Sequence, residues 1–188
     1  MAWTTPMTAV ANATITAAEW NTHVRDNLLE TEPAKADATD VYLVSTGANV
    51  LAKRASAGDH IEAQQATTST SYTDLSTAGP AVTVTTGTKA IVWISCAMNQ
   101  TVTDALMAAS FAVSGATAVS ASDDWAVMTS GVTRNPNMTG NPRDNHNRRG
   151  VARMVTGLNA GSNTFTMKYR VGSGTGHFHN REIDVLPL

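Results

Sequence analysis

The stretch TFTMKYRV, residues 164–171, decides how the chain is read. Phe165, Met167, Tyr169 and Val171 fall on one side of an extended strand and Thr164, Thr166, Lys168 and Arg170 on the other, because side chains alternate with a period of two. One face is dry and the other wet. Outward from it, β-prone runs separated by turn residues predict strands at residues 67–75, 81–86, 89–98, 106–114, 151–158, 164–171 and 177–186, with a weaker one at 125–128. The run AIVWISCAM, residues 90–98, is apolar on both faces, so it is either a central strand or one covered by a neighbouring subunit. With no helices left to cover the outside of a sandwich, the second reading is preferred and implies oligomer contact. The expected fold class is all-β with a short N-terminal helix: a jelly-roll-like antiparallel β-sandwich over residues 67–188.

The exception to this pattern is ITAAEWNTHVRDNLLE, residues 15–30. Thr16 followed by Glu19 reads as a capping box, with Ile15 and Trp20 placed for a hydrophobic staple. Trp20, Val24 and Leu28 recur every fourth residue as a narrow apolar stripe, and Pro33 is expected to end the helix. VYLVSTGANVLAKRA, residues 41–55, reads as a hairpin turning at residues 46–49. Trp3 and Pro6 lie in a polar context that predicts an extended arm. A single helix, a lone hairpin and an arm cannot bury a core by themselves. Residues 1–55 therefore read as an attachment segment in which Trp3, Ile15, Trp20, Val24 and Leu28 dock onto a partner. Residues 56–66 are expected to be a linker.

The 188 residues suffice for one ordinary domain plus an extension. A net charge of −2 with 15% charged residues offers no broad basic field, which argues against nucleic-acid binding and adhesion to anionic membranes. No run reaches the roughly 18 apolar residues of a membrane span, and the start MAWTTPMTAV lacks the layout of a signal peptide. The expectation is a protein kept in solution, with no membrane insertion. Cys96, the one cysteine, lies in an apolar run and is expected to be a small buried hydrophobe. Asp123 and Asp124 are adjacent and would point to opposite sides of a strand, so they are not a facing carboxylate pair. No phosphate loop, zinc-spaced set or nucleophile elbow is present in the sequence, and no catalytic residue is named. The chain is not expected to be an enzyme.

Two further features carry site expectations. Residues 129–150, TSGVTRNPNMTGNPRDNHNRRG, have no periodicity and read as a long loop. Its Arg134, Asn137, Arg143, Asn145 and Arg148, with Trp125 just before it, suit contact with sugar hydroxyls or acidic groups. Three uses stay open: receptor contact, neighbour contact, or a solvated loop. In HFH, His177 and His179 share one strand face. An unbroken strand would put them on the same side as Ile183 and Val185.

The string ITAAEWNTHVRDNLLE, then VYLVSTGANVLAKRA, then a Thr-rich β-domain with GLNAGSNTFTMKYRVGSGTG and a closing NREIDVLPL, resembles structural proteins of tailed bacteriophages of actinobacteria. The resemblance spans nearly the whole chain and is to small minor tail or fibre-like proteins, in which an attachment segment precedes a β-rich, typically trimeric head. It implies a virion component whose partners are itself, as a homotrimer, other virion proteins and a host cell-envelope glycan. Tail or tail tip is the first expectation, capsid decoration the second, and an envelope-degrading enzyme a remote third. In fibre trimers of this kind HxH pairs hold a transition metal on the axis, which gives His177 and His179 a metal reading beside the plainer one of polar histidines near a loop; otherwise no cofactor is expected.

Overall fold

The computed structural model describes residues 4–8, 10–31, 35–100, 102, 105–130 and 147–188. Trp3, Pro33, Arg134, Asn137, Arg143 and Asn145 lie outside these. The chain divides into two compact units, Met1–Ala55 and Ser56–Leu188.

The first unit holds a 13-residue helix and a hairpin. Thr16 caps the helix as the sequence predicts: its hydroxyl accepts from the Glu19 amide while the Glu19 carboxylate accepts from the Thr16 amide. These bonds, the backbone one first, hold the Glu19 carboxyl below its usual range. The helix is α-helical over Ala17–Trp20, widens into a π turn over Asn21–Arg25, and returns to α over Asp26–Leu29. A four-residue spacing drifts by about 40° per step around a 3.6-residue helix. The wider turn takes up part of that drift and helps keep Trp20, Val24 and Leu28 in line. Strands β1 (Tyr42–Gly47) and β2 (Val50–Arg54) form the hairpin, with Gly47 facing Val50 and Asn49 at φ +58° in the turn. Asparagine tolerates that left-handed conformation better than most residues.

The second unit is an antiparallel β-sandwich with nine strands among its described residues: β3 (Ala57–Ile61), β4 (Gln65–Thr67), β5 (Ala81–Thr86), β6 (Lys89–Gln100), β7 (Leu106–Gly115), β8 (Val127–Ser130), β9 (Asn147–Thr156), β10 (Gly161–Val171) and β11 (Gly176–Pro187). One sheet runs β3-β11-β6-β9 with β4 also on β11; the other runs β5-β10-β7-β8. The pairings β3 with β11, β5 with β10, β6 with β9 and β7 with β8 are nested. They describe one long hairpin of four strand pairs folded over itself, which is the jelly roll. Phe165, Met167, Tyr169 and Val171 are fully buried between the sheets, as the alternation of β10 requires, against Phe111, Met107, Ile94 and Phe178. Cys96 is buried, and desolvation pushes its thiol up to about 12.

Three expectations are corrected. Residues 56–66 are no linker: β3 pairs with β11 from Ala57 facing Val185 to Ile61 facing Arg181, and β4 begins at Gln65. The polar, exposed β3 is an edge strand, and its solvated sequence hides it. Residues 67–75 are not one strand. Thr67 ends β4; beyond it Ser69 and Ser71 fold back on their own backbone, the Ser69 hydroxyl donating to the Ser71 carbonyl and accepting from the Ser71 amide, and Thr73 makes an isolated bridge to Tyr169. Local side-chain bonds of this kind compete with a ladder. The third concerns β11, which is broken by a bulge between His179 and Glu182, with Asn180 at φ +45°. Phe178 points inward, and after the bulge Ile183 and Val185 also point inward. The histidines are thereby turned to the side opposite Ile183 and Val185.

The same bulge sends Arg181 into the interior, fully buried. It donates to the Gly79 carbonyl at 3.2 Å and to Gln65 Oε1 at 3.2 Å, and its guanidinium lies 5.4 Å from the centre of the Tyr169 ring. Tyr169 Oη donates to the same Gly79 carbonyl at 2.9 Å. Arg181→Met is expected to lower the unfolding free energy of the sandwich by about 2–3 kcal/mol, the loss of charge-assisted hydrogen bonds that an apolar chain cannot replace. Chemical denaturation followed by fluorescence measures it.

Candidate docking and contact surfaces

Within the first unit the arm lies along the helix on a polar ridge. Asn27 clamps Thr4 at both ends of its backbone: its Oδ1 accepts from the Thr4 amide at 2.8 Å and its Nδ2 donates to the Thr4 carbonyl at 2.8 Å. His23 Nδ1 lies 3.1 Å from the Thr5 carbonyl. The arm is therefore held by its own helix, and Asn27 is the one buried residue among the described residues of this unit. No described apolar side chain there is buried. Ile15, Trp20, Leu28 and Leu29 are each more than half exposed, and Val24 is half-buried.

The histidines sit beside the 62–64 segment. His177 Nδ1 is 3.3 Å from Gln64 Nε2; His179 is buried, with Nδ1 3.4 Å from the Ala97 carbonyl. Both rings are engaged within their own chain. Among the described residues no group of three or more His, Cys, Asp or Glu converges as a metal site. Trp125 closes a 3₁₀ turn, Asp123–Trp125, and stacks on the core ring of Phe111 at 5.0 Å and 10°, so one of its faces is spent on packing. Arg148 belongs to β9, where it donates to Glu182 at 2.5 Å and to the Ser95 hydroxyl at 2.9 Å.

The two outer sheet faces differ in chemistry. On the sheet containing β6, Ile91 pairs with Met154 and Trp93 with Ala152, and Trp93 and Met154 are 40% and 53% exposed. Trp93, Val151 and Ala152 line a shallow groove bordered by Glu182 and Asp184. Burial and the neighbouring Glu182 push the Asp184 carboxyl above its usual range. This apolar strip is the second face of AIVWISCAM, part-exposed within the second unit.

The face of the β10 sheet holds an open cleft of about 720 Å³ that the sequence reading did not single out. Segment 70–74 forms one wall and segment 120–123 the other, with Lys168, Arg170 and Ala112 as floor. Asp123, on the 3₁₀ turn, accepts from Arg170 Nε at 3.0 Å, Arg170 Nη2 at 2.6 Å and Tyr72 Oη at 2.7 Å. The Arg170 guanidinium lies 5.4 Å from the centre of the Tyr72 ring. Lys168 Nζ reaches both oxygens of Asp74 at 2.7–2.8 Å. Arg170 and Tyr72 hold the Asp123 carboxyl below its usual range, while burial and the bond to Asp123 raise the Tyr72 phenol, so it stays protonated. The signal available was the wet face of residues 164–171; what it could not show was which segments would wall it.

No protein-family model matches the chain, and no curated protein matches it. Among solved structures, chains of infectious bursal disease virus match at 10% identity: the Gx strain with TM-score 0.39 over 76% of this chain and 35% of that one, the Gt strain with TM-score 0.45 over 82% and 41%. The chain thus spans well under half the length of these viral chains. The C-terminal CBM6 of LamC, a marine laminarinase from Zobellia galactanivorans, matches at 12% identity with TM-score 0.24 over 81% of this chain and 93% of that one. At such scores these are loose likenesses, and no functional argument rests on them.

The clamp has a direct test. Asn27→Ala should speed hydrogen exchange of the Thr4 amide about tenfold, the equivalent of one lost hydrogen bond, while amides of β10 keep their protection.

Proposed function

We propose that the chain is a virion structural protein whose first unit anchors it to other virion proteins while the jelly roll is displayed outward. The observation that carries the reading is a folded unit with a well-capped helix and no buried apolar side chain among its described residues, whose Ile15, Trp20, Leu28 and Leu29 stand exposed. A helix and a two-stranded hairpin gain stability by covering such a face with a partner. The sequence resemblance to tailed-phage structural proteins supplies the particle, and its tail-associated members favour a tail or tail-tip position that assists host attachment. The role is assembly and binding, with no catalysis assigned.

Self-association as a trimer is part of this proposal. The Ile91, Trp93 and Met154 strip supports it, because a part-exposed apolar strip on an outer sheet face gains from cover by another copy. Three copies would also give multivalent contact with a host surface.

Trp20→Ser with Leu28→Ser is expected to leave a soluble chain with an intact sandwich that no longer enters particles, scored by immunoblot of purified virions; incorporation at the normal level would refute the anchor. Mass spectrometry of those virions then gives the copy number. A few copies per particle support the tail, and hundreds would instead place the chain on the head as capsid decoration. For the trimer, Trp93→Lys should turn a three-chain particle into a monomer by light scattering with an unchanged circular dichroism spectrum.

A further inference from the structure

We propose that the cleft floored by Lys168 and Arg170 binds a neutral saccharide. The inference deepens the host-contact part of the proposed function and takes from it only the source of the sugar, since the cleft is built wholly within the sandwich.

Charge selects the ligand class. Each cation among the described residues that line the cleft is matched to a carboxylate, Lys168 to Asp74 and Arg170 to Asp123, so these four charges cancel in pairs. A phosphate or an acidic polymer would have to displace a bidentate partner, and a cation would face the same obstacle from the other side. An uncharged polyol faces neither. Asp74 and Asp123 remain 42% and 52% exposed, which leaves carboxylate oxygens open to hydroxyl donors. Thr70, Ser71, Thr73 and Ser120 add hydroxyls around the rim. Tyr72, held by Asp123 and with the Arg170 guanidinium 5.4 Å from its ring centre, contributes the one ring among the described residues that line the cleft, a planar wall for the C–H face of a sugar.

The site is built before any ligand arrives. Asp123 gathers three donors from Tyr72 and Arg170, and Thr73 is fixed to Tyr169 by a pair of backbone bonds of 2.9 and 3.0 Å. Side chains already locked in place lose little entropy on binding. The volume of about 720 Å³ lies in the range of small-molecule sites and suits a short oligosaccharide rather than a single ion.

The test uses the purified 188-residue chain titrated by NMR with neutral oligosaccharides of glucose, galactose, mannose and arabinose, and with oligogalacturonate and polyphosphate as charged counterparts. At least one neutral series is expected to bind and the charged ones not to. The double variant Asp74→Ala, Lys168→Ala, which keeps the cleft neutral, and separately Tyr72→Phe and Tyr72→Ala, guard against misfolding. The double variant and Tyr72→Ala should weaken binding at least about tenfold with unchanged β10 amide shifts elsewhere, and Tyr72→Phe should weaken it less. Binding by none of the neutral series, tighter binding of a charged polymer, or full-strength binding by both the double variant and Tyr72→Ala would overturn the assignment. A chain that binds no sugar yet still enters virions removes the cleft and leaves the anchor; one that binds sugar but is missing from virions does the reverse.

Discussion

The bulge in β11 between His179 and Glu182 is the constraint on which the sandwich depends. β11 lies between β3 and β6, and it must present apolar side chains inward along its whole length while its ends pair with different strands. A regular strand with this sequence could not do so, because Phe178 is separated from Ile183 and Val185 by an odd number of positions. One extra residue repairs the phase. Its consequence is Arg181, whose buried guanidinium then ties the segment around Gly79 to Gln65 and to the Tyr169 ring. The bulge thus fixes the inside of one sheet and the approach of the segment that leads into β5.

From that arrangement follows the contrast between the outer faces. The β6 face presents Ile91, Trp93 and Met154, whose favourable interactions come from removing water, roughly 25 cal/mol per Å² buried. The β10 face presents a polar cleft in which charges are already compensated, so its interactions are directional and come at little cost in order. A surface of the first kind suits a flat partner of the same shape. The second suits a small ligand with many hydroxyls.

Much of this was legible in the chain. Strict alternation over residues 164–171 made β10 readable because hydrophobic burial on one face leaves a period of two. The capping box was readable because Thr16 and Glu19 satisfy each other locally, with no need of tertiary context. β3 was missed because an exposed edge strand carries little burial signal, and residues 67–75 were overread because Ser69 and Ser71 look β-compatible while bonding to their own backbone. Asn27 gave no sign of its role: its clamp on Thr4 joins residues 23 positions apart. The cleft was hidden for the same reason, since Asp123 meets Arg170 and Tyr72 across separations of 47 and 51 residues.

The Asn27 clamp also bears on how the first unit can grip a partner. An arm left loose would have to be ordered at the moment of docking, at a cost in conformational entropy for each residue fixed. Here Thr4 is already held at both its amide and its carbonyl, and the clamp uses the polar ridge of His23 and Asn27, so that Trp20 and Leu28 remain uncommitted. Polar contacts thus do the internal work among the described residues of this unit and its apolar side chains stand exposed, the opposite of the division in the sandwich, where the apolar side chains are consumed by the core. In the proposed anchoring role, a unit arranged this way would have the order of these residues in place before docking, and the area it covered would then convert more fully into affinity.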